Sequence, residues 1–183
     1  MLFWYNICMI KTLENALSEE HFYHFKELCY GSFKFGICKD FTPKDELGML
    51  GCVAIQEKKR WFDYHDDPGV TDTQYSFLLN TVRTILRPMG EKLGDIRRLA
   101  LNLNYPNDKS HSIWHYDHKQ GTEGKSLIFY LHGEPEWTTQ VKCENKTHTF
   151  ECIPNTALLF DNHEHRVTMP DQHTRLVLVC TYT

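Results

Sequence analysis

The sequence predicts a mainly β domain with flanking helices, an α+β chain whose C-terminal half closes into a sandwich or barrel. Three observations carry this. Beyond residue 96 the chain breaks into seven or eight short apolar segments, separated every few residues by Pro, Gly, Asn or Asp. Amphipathic helical stripes occur only before that point. The length, 183 residues with 41% apolar side chains, suffices for one sizeable core and normally makes one domain. Residues 1–183 are therefore expected to form a single unit, with residues 1–95 as helical support and substrate-side loops and residues 96–183 as the β core.

The apolar start, Met1 to Ile10, is too short to span a bilayer and has neither a basic leading region nor a small-residue cleavage site. It reads as a strand, or as a lead-in to a true start at Met9. Ser18 is an N-cap type residue followed by Glu19 and Glu20, and Phe22, Phe25, Leu28 and Cys29 share one face of the helix it opens. A second helix, capped by Asp72 or Thr73 and running to about Leu93, carries the stripe Tyr75, Leu78, Leu79, Val82, Ile85 and Leu86. Both stripes are core-packing faces, expected to cover the larger sheet. The stretch between the helices, Phe41 to Val70, has little periodicity. Its Lys58 to Tyr64 run mixes three basic residues with Trp61 and reads as a solvated loop.

Leu99 to Tyr105 alternates apolar and polar residues and stops at Pro106-Asn107-Asp108, a half-buried strand ended by a turn. Ser112 to Asp117 is the next strand. A loop from His118 to Lys125, with Gly121 and Gly124, leads to Ser126 to His132, rich in aromatic and β-branched residues. Trp137 to Cys143 and His148 to Ile153 read as a hairpin across Glu144 to Thr147. Thr156 to Phe160 follows the turn-forming Pro154-Asn155, and His165 to Met169 and Thr174 to Tyr182 complete the series.

Net charge −4 and a pI near 6.2 argue against a dedicated nucleic-acid binder and leave protein, peptide or small-molecule substrates open. Seven cysteines without C-x-x-C spacing fit free thiols in a reducing compartment, and hence a cytoplasmic protein. Cys143 and Cys152 could face each other across the hairpin. Asn145-Lys-Thr147 matches a glycosylation sequon, but without a signal peptide it reads as a turn.

The chemistry gathers around His115-Tyr116-Asp117, followed by His165 and then Arg175. Residues two apart in a strand point to the same side, so His115 and Asp117 can reach one metal from one strand. A third ligand must come from another strand, as His165 could. Two imidazoles and one carboxylate on one face of a metal suit non-haem Fe(II) working with O2. His163 has the same parity as His165 and is the alternative ligand. Its competitor is favoured by the ten-residue spacing to Arg175 and by the Val167 that follows. His118 lies on the opposite strand face and reads as a residue at the surface or behind the ligands.

These residues resemble the Fe(II)- and 2-oxoglutarate-dependent oxygenases, and within them the prolyl 4-hydroxylase-like group. The resemblance covers about the last 85 residues. His115-Tyr-Asp117 is similar to the family's H-x-D, and His165-Arg-Val167 to its distal His with the accompanying H-x-V. Arg175, opening an apolar strand, resembles the basic residue that pairs with the C5 carboxylate of 2-oxoglutarate; a solvated strand-end charge is the alternative. Tyr105 and Tyr130 resemble tyrosines lining the cosubstrate pocket, although either could be a packing aromatic. Pro154 to Phe160 is similar to the family's P-x-x-x-x-L-x-F strand. Three departures stand beside these matches. The connection Asp161 to Glu164 is short, and no glycine-rich stretch follows Trp137. Val177, Val179 and Thr181 after Arg175 depart from the R-x-N-x-T-x-R of the nucleic-acid dealkylase branch.

The resemblance implies a double-stranded β-helix, a jelly-roll-like barrel with the metal at its open end. It further implies Fe(II) held by His115, Asp117 and His165, 2-oxoglutarate as cosubstrate and O2 as oxidant. The implied reaction hydroxylates a substrate C–H bond and releases succinate and CO2. A peptidyl proline is the substrate the resemblance favours. A free amino acid, a small metabolite or a nucleobase is the alternative, as is a non-catalytic β-helix module that binds a metal or ligand. Substrate selection is expected from the Phe41 to Val70 stretch and the His118 to Lys125 loop. The compact size resembles bacterial or phage-encoded members.

Overall fold

A computed structural model of the chain describes residues 8–37, 49–56, 59–60, 71–106 and 110–183. Its elements run β1 (Ile10–Leu13), α1 (Glu19–Ser32), β2 (Gly36–Ile37), β3 (Met49–Gln56), β4 (Lys59–Arg60), α2 (Asp72–Leu86), β5 (Ile96–Asn104) and β6 (Lys125–His132), then β7 (Thr139–Cys143), β8 (Lys146–Phe150), β9 (Ala157–Asp161), β10 (His165–Val167) and β11 (Arg175–Tyr182). The remainder of the Phe41 to Val70 stretch, and Met1 to Ile7, lie outside the described residues.

Two antiparallel sheets carry the molecule. The larger is ordered β1-β9-β6-β11-β5-β3-β2, with β4 beside β3, and the smaller is β10-β7-β8. Isolated bridges from His111 to Thr168 and from His115 to His165 add the segment before β6 to the small sheet's β10 edge. From β5 onward, successive segments alternate between the sheets: β5 in the larger, 111–115 in the smaller, β6 back in the larger, β7 and β8 in the smaller, and so on to β11. This winding makes the fold a matter of long-range pairing. It also brings residues far apart in sequence to one end of the two-sheet stack.

The large sheet is buried on both faces, so its central strands read as continuous apolar runs. On β6, Leu127, Phe129 and Leu131 join the core that contains Phe22, Phe25 and Cys29 of α1 and Leu78, Val82 and Ile85 of α2. Phe129 meets Phe22 edge-on at 6.1 Å between ring centroids. The alternate residues Ile128 and Tyr130 face inward with Leu158, Phe160, Val177 and Val179, against Trp137 and Val141. Period-two alternation thus divides one strand between a helix-covered outer core and an inter-sheet inner core. The helices cover the larger sheet as their stripes foretold.

Several boundaries differ from the sequence reading for identifiable reasons. The second helix begins one residue earlier, capped by Thr71, because Gln74 closes a capping box. Gln74 N–H donates to Thr71 Oγ1 (3.2 Å) and Thr71 N–H to Gln74 Oε1 (2.8 Å). It stops at Leu86 rather than near Leu93. Pro88 has no N–H to carry the ladder past Arg87, which is still helical, and Gly90 at φ +72° turns the chain back. The expected strand from Ser112 to Asp117 is reduced to the two bridges. Between them Ser112 Oγ accepts the Val167 N–H at 3.0 Å, a place that a ladder carbonyl would otherwise take.

The expectation of free thiols needs correction at one pair. Cys143 is joined to Cys8, 135 residues away, and Cys152 is free and buried. Hairpin register explains this. Cys143 lies opposite Lys146 at the turn end of β7–β8, whereas Thr139 lies opposite Phe150, so Cys152 falls beyond the far end. A second cross-link is ionic. Glu91, after α2, takes Lys11 of β1 at 2.6 Å and Lys125 of β6 at 2.5 Å, and its side chain is only 13% exposed. Among the described residues no helix is long and apolar enough to cross a membrane.

Candidate active site

His115 and His165 are brought together by the backbone. They form a bridge in which each N–H donates to the other's carbonyl at 2.9 Å. Directly opposed residues of an antiparallel pair send their side chains to the same face, and the two imidazoles lie 4.3 Å apart between centroids. Asp117, two residues past His115, points to that side as well. Its Oδ1 is 3.9 Å from His115 Nε2 and its Oδ2 is 3.6 Å from His165 Nε2. One ligand atom from each of the three lies within 4.8 Å of the others, a group that can hold a metal ion.

Hydrogen bonding sets the tautomers that such a group needs. His115 Nδ1 donates to the Ile113 carbonyl and His165 Nδ1 to the His163 carbonyl, each at 3.0 Å. A proton held on Nδ1 leaves the Nε2 lone pair for a metal, and the backbone fixes the ring plane. Ser126 Oγ donates to Asp117 Oδ2 at 2.6 Å, and Phe160 backs the His165 ring edge-on at 4.9 Å. Burial alone would raise the Asp117 pKa. The charges of His165 and His115, the Ser126 hydroxyl and Arg98 overcome it and hold the carboxyl at about 2. Burial in turn lowers the His165 pKa, with Asp117 pulling the other way. An ionised carboxylate and neutral imidazoles are the forms that bind metal.

Arg175 opens β11 opposite Asn104 and is 2% exposed. Its Nη2 donates to Thr139 Oγ1 at 3.2 Å and its Nη1 reaches Asn104 Oδ1 at 3.5 Å. The guanidinium carbon stands 5.5 Å from the Tyr130 ring centroid. Arg175 Nε is buried with no hydrogen-bond partner, and among the described residues none of the ion pairs includes Arg175. The Tyr130 hydroxyl donates to the same Thr139 Oγ1 at 2.9 Å. Burial, eased by Arg175 and Thr139, pushes the Tyr130 phenol up to about 12, so it stays a donor. Thr139 Oγ1 then accepts two hydrogen bonds, which leaves its own proton for a further acceptor. Ser126 and Tyr130 are four residues apart on the same face of β6, roughly 13 Å along the strand. The His115, Asp117 and His165 group and the guanidinium therefore reach inward from the two ends of one face.

The remaining predicted residues are placed as follows. Tyr105 sits just past β5 and is 39% exposed. His163 is not with His115 and Asp117; its ring lies by Cys8 and Cys143. His118 is buried, not at the surface. Gly124 passes so close that a Cβ there would run into its ring. The loop from His118 is clamped by Asn162, whose Nδ2 donates to the carbonyls of Lys119 (3.0 Å) and Thr122 (3.1 Å). Trp114, beside His115, is flanked by Lys142 Nζ at 4.1 Å and Arg166 at 4.6 Å from its ring centroid. Ser126, Thr139 and Asn104 were not foreseen. Their only sequence signal is a polar residue within a strand, which by itself does not tell a site residue from an ordinary one.

No protein-family model matches the chain, and no curated protein matches it either. Solved structures do. A 2OG-Fe(II) oxygenase family oxidoreductase from Burkholderia pseudomallei is similar at a TM-score of 0.68 and 14% identity, over 95% of this chain and 84% of that one. A prolyl hydroxylase from Trichoplax adhaerens, in complex with a hypoxia inducible factor oxygen degradation domain peptide fragment, is similar at 0.62 and 17%, over 94% and 82%. A prolyl-4-hydroxylase from Pseudomonas putida is similar at 0.58 and 13%, over 94% and 91%. The chain therefore has the fold of the 2-oxoglutarate/Fe(II) oxygenases, in agreement with the resemblance of its motifs.

Proposed function

We propose that this chain is an Fe(II)- and 2-oxoglutarate-dependent dioxygenase that hydroxylates a C–H bond, releasing succinate and CO2. The observation that carries the reading is the convergence of the His115 and His165 Nε2 atoms on the Asp117 carboxylate, with both Nδ1 protons held by backbone carbonyls. His115, Asp117 and His165 are the ligands in this reading, an N2O set that leaves positions open for cosubstrate and O2. Arg175 is the second support. A buried guanidinium without a carboxylate partner is costly, and the far carboxylate of a small dicarboxylate is the group that would balance it through paired charge-assisted hydrogen bonds.

Each residue has a task in this reading. Fe(II), 2-oxoglutarate and O2 supply the oxidising chemistry, in which the oxo acid is cleaved and one oxygen atom is transferred to the substrate carbon. The Ile113 and His163 carbonyls orient the two imidazoles. Ser126 holds Asp117 in one rotamer and keeps it ionised. Arg175 grips the distal carboxylate while Thr139, its oxygen already accepting from Arg175 and Tyr130, donates its proton to the same carboxylate. Tyr130 fills the space beneath the guanidinium, and Tyr105 lines the rim. Residues 1–95 support a single domain whose strand alternation is the winding of a double-stranded β-helix.

A peptidyl proline is the substrate we favour. Support comes from the two prolyl hydroxylases among the similar structures, one of them bound to a peptide. The exposed Ile113, two residues before His115, offers an apolar contact for such a chain. A small metabolite is the second reading. It draws on structures of a non-heme α-ketoglutarate-dependent epimerase and a carbocyclase from nogalamycin biosynthesis, similar at TM-scores of 0.63 and 0.59. The deciding experiment is anaerobic. Fe(II) and 2-oxoglutarate together should give a visible charge-transfer band that needs both and is lost in Asp117→Ala. Iron-loaded, folded protein without that band would refute the oxygenase assignment and leave the fold intact. Peptide and metabolite pools screened for a hydroxyl gain coupled to succinate would then separate the two substrate readings.

A further inference from the structure

We propose that Cys8, Cys143 and His163 form a second cation site, separate from the His115, Asp117 and His165 group, which takes a thiophilic ion such as Zn2+ when the two cysteines are reduced. The two sulfurs and an imidazole nitrogen all lie within 4.8 Å of one another. Three remote segments supply them: Cys8 just before β1, Cys143 at the end of β7, and His163 in the turn between β9 and β10. Tetrahedral zinc with sulfur at about 2.3 Å and nitrogen at about 2.0–2.1 Å sets its ligand atoms roughly 3.5–3.8 Å apart. The Cα atoms of Cys8 and Cys143 are 6.1 Å apart, a span that lets their side chains either bond to each other or turn onto one ion.

His163 points to a ligand independently. Its Nε2 is buried without a hydrogen-bond partner, and a buried polar nitrogen left unsatisfied calls for an explanation. A cation at this place supplies one. Cys143 and His163 also both line a cleft of about 440 Å³ that opens beside Tyr116 and Glu164, so an ion and a fourth, solvent ligand can enter. Two thiolates and an imidazole select zinc and similar soft or borderline ions, whereas the sulfur-free group around Asp117 does not. The two sites also share a loop. The His163 carbonyl that holds His165 Nδ1 belongs to the residue whose ring would bind the second ion.

Binding releases the two thiol protons to solvent as each sulfur becomes a thiolate ligand. Joined to each other, the sulfurs have no thiolate to give. Oxidation of the pair and cation binding therefore exclude one another.

The test is a cobalt titration of the whole chain under nitrogen, after reduction with a phosphine, which takes up the disulfide's oxidising equivalents as its oxide and leaves two thiols. Sulfur-to-cobalt charge-transfer absorption in the near ultraviolet reports thiolate ligation, which the sulfur-free group around Asp117 cannot give, and the cysteine variants assign it to this site. It should saturate at one ion per chain, yield to added Zn2+, and be absent before reduction. Asp117→Ala should keep it. Cys143→Ser should abolish it, and Cys8→Ser, at a position outside the packed core, should do the same if Cys143→Ser does not fold. His163→Ala should weaken binding by at least about 100-fold, the upper range for losing even an indirect ligand support. No absorption in the reduced protein would overturn the proposal. So would absorption that survives both cysteine changes, or affinity unchanged in His163→Ala.

Discussion

Replacing Arg175 with methionine separates a cosubstrate anchor from a structural arginine. The side chain is 2% exposed, its two side-chain hydrogen bonds are 3.2 and 3.5 Å long, and its Nε has no partner. Methionine keeps most of the volume and the stacking on Tyr130 while removing a buried charge, so the ligand-free protein should be no less stable, in keeping with hydrophobic replacement of buried ionic groups. Loss of hydrogen bonds to a charged group costs about 1.5–3 kcal/mol, which weakens 2-oxoglutarate roughly 10- to 140-fold. At a hundred times its Kd the ligand stabilises a protein by about 2.7 kcal/mol, or roughly 5–11 °C in Tm for a chain of this size. At the same concentration the variant should gain only about 0.3–1.4 kcal/mol, a few degrees. The assay is a thermal melt of Ni2+-loaded protein with and without 2-oxoglutarate, alongside calorimetric affinities. A ligand-induced shift equal to wild type, with a ligand-free Tm several degrees lower, would return Arg175 to a purely structural role.

Ser126→Ala removes the hydroxyl from Asp117 Oδ2 and should weaken metal binding by about 10- to 100-fold, the usual scale for losing a partner behind a ligand; an unchanged metal isotherm would refute this. Glu91→Gln should cost about 1–3 kcal/mol in urea unfolding at pH 7, since it leaves Lys11 and Lys125 without their shared carboxylate. Burial tends to raise the Glu91 pKa, but the hydrogen bonds and charges of the two lysines lower it overall. Its contribution is thus complete above the ordinary value of 4.5 and fades as pH falls through the lowered one, so wild type and variant should converge in strong acid; a gap that persists there would contradict the linkage. Gly124→Ala should destabilise by roughly 1–3 kcal/mol through its clash with the His118 ring, and adding His118→Ala should recover part of that loss in thermal melts. Strictly additive changes would show that the ring is not the obstacle.

Local patterns made much of this protein legible. Alternation and turn residues mark the strands from Leu99 onward, and the stripe from Leu78 to Leu86 marks α2, because both are written at periods of 2 and 3.6 in the chain itself. The two-residue spacing of His115 and Asp117 needs only strand geometry to place both on one side. Where local signals compete, the reading slips. Thr71, Asp72 and Thr73 can each cap a helix, and only the reciprocal bond with Gln74 chooses among them.

Tertiary structure decided what depends on register between distant strands. His163 and His165 have the same parity and chemistry in the sequence. The paired backbone bonds between His115 and His165 separate them, turning one toward Asp117 and the other toward Cys8 and Cys143. Likewise Cys152 looked able to meet Cys143 until the hairpin register carried it past the last pair, and Thr139 gained meaning only when β7 brought its hydroxyl under Arg175. Periodicity along a chain tells which face a residue takes. Which strand lies opposite, and at what offset, follows from the summed packing of both cores, and no single stretch of sequence holds that information.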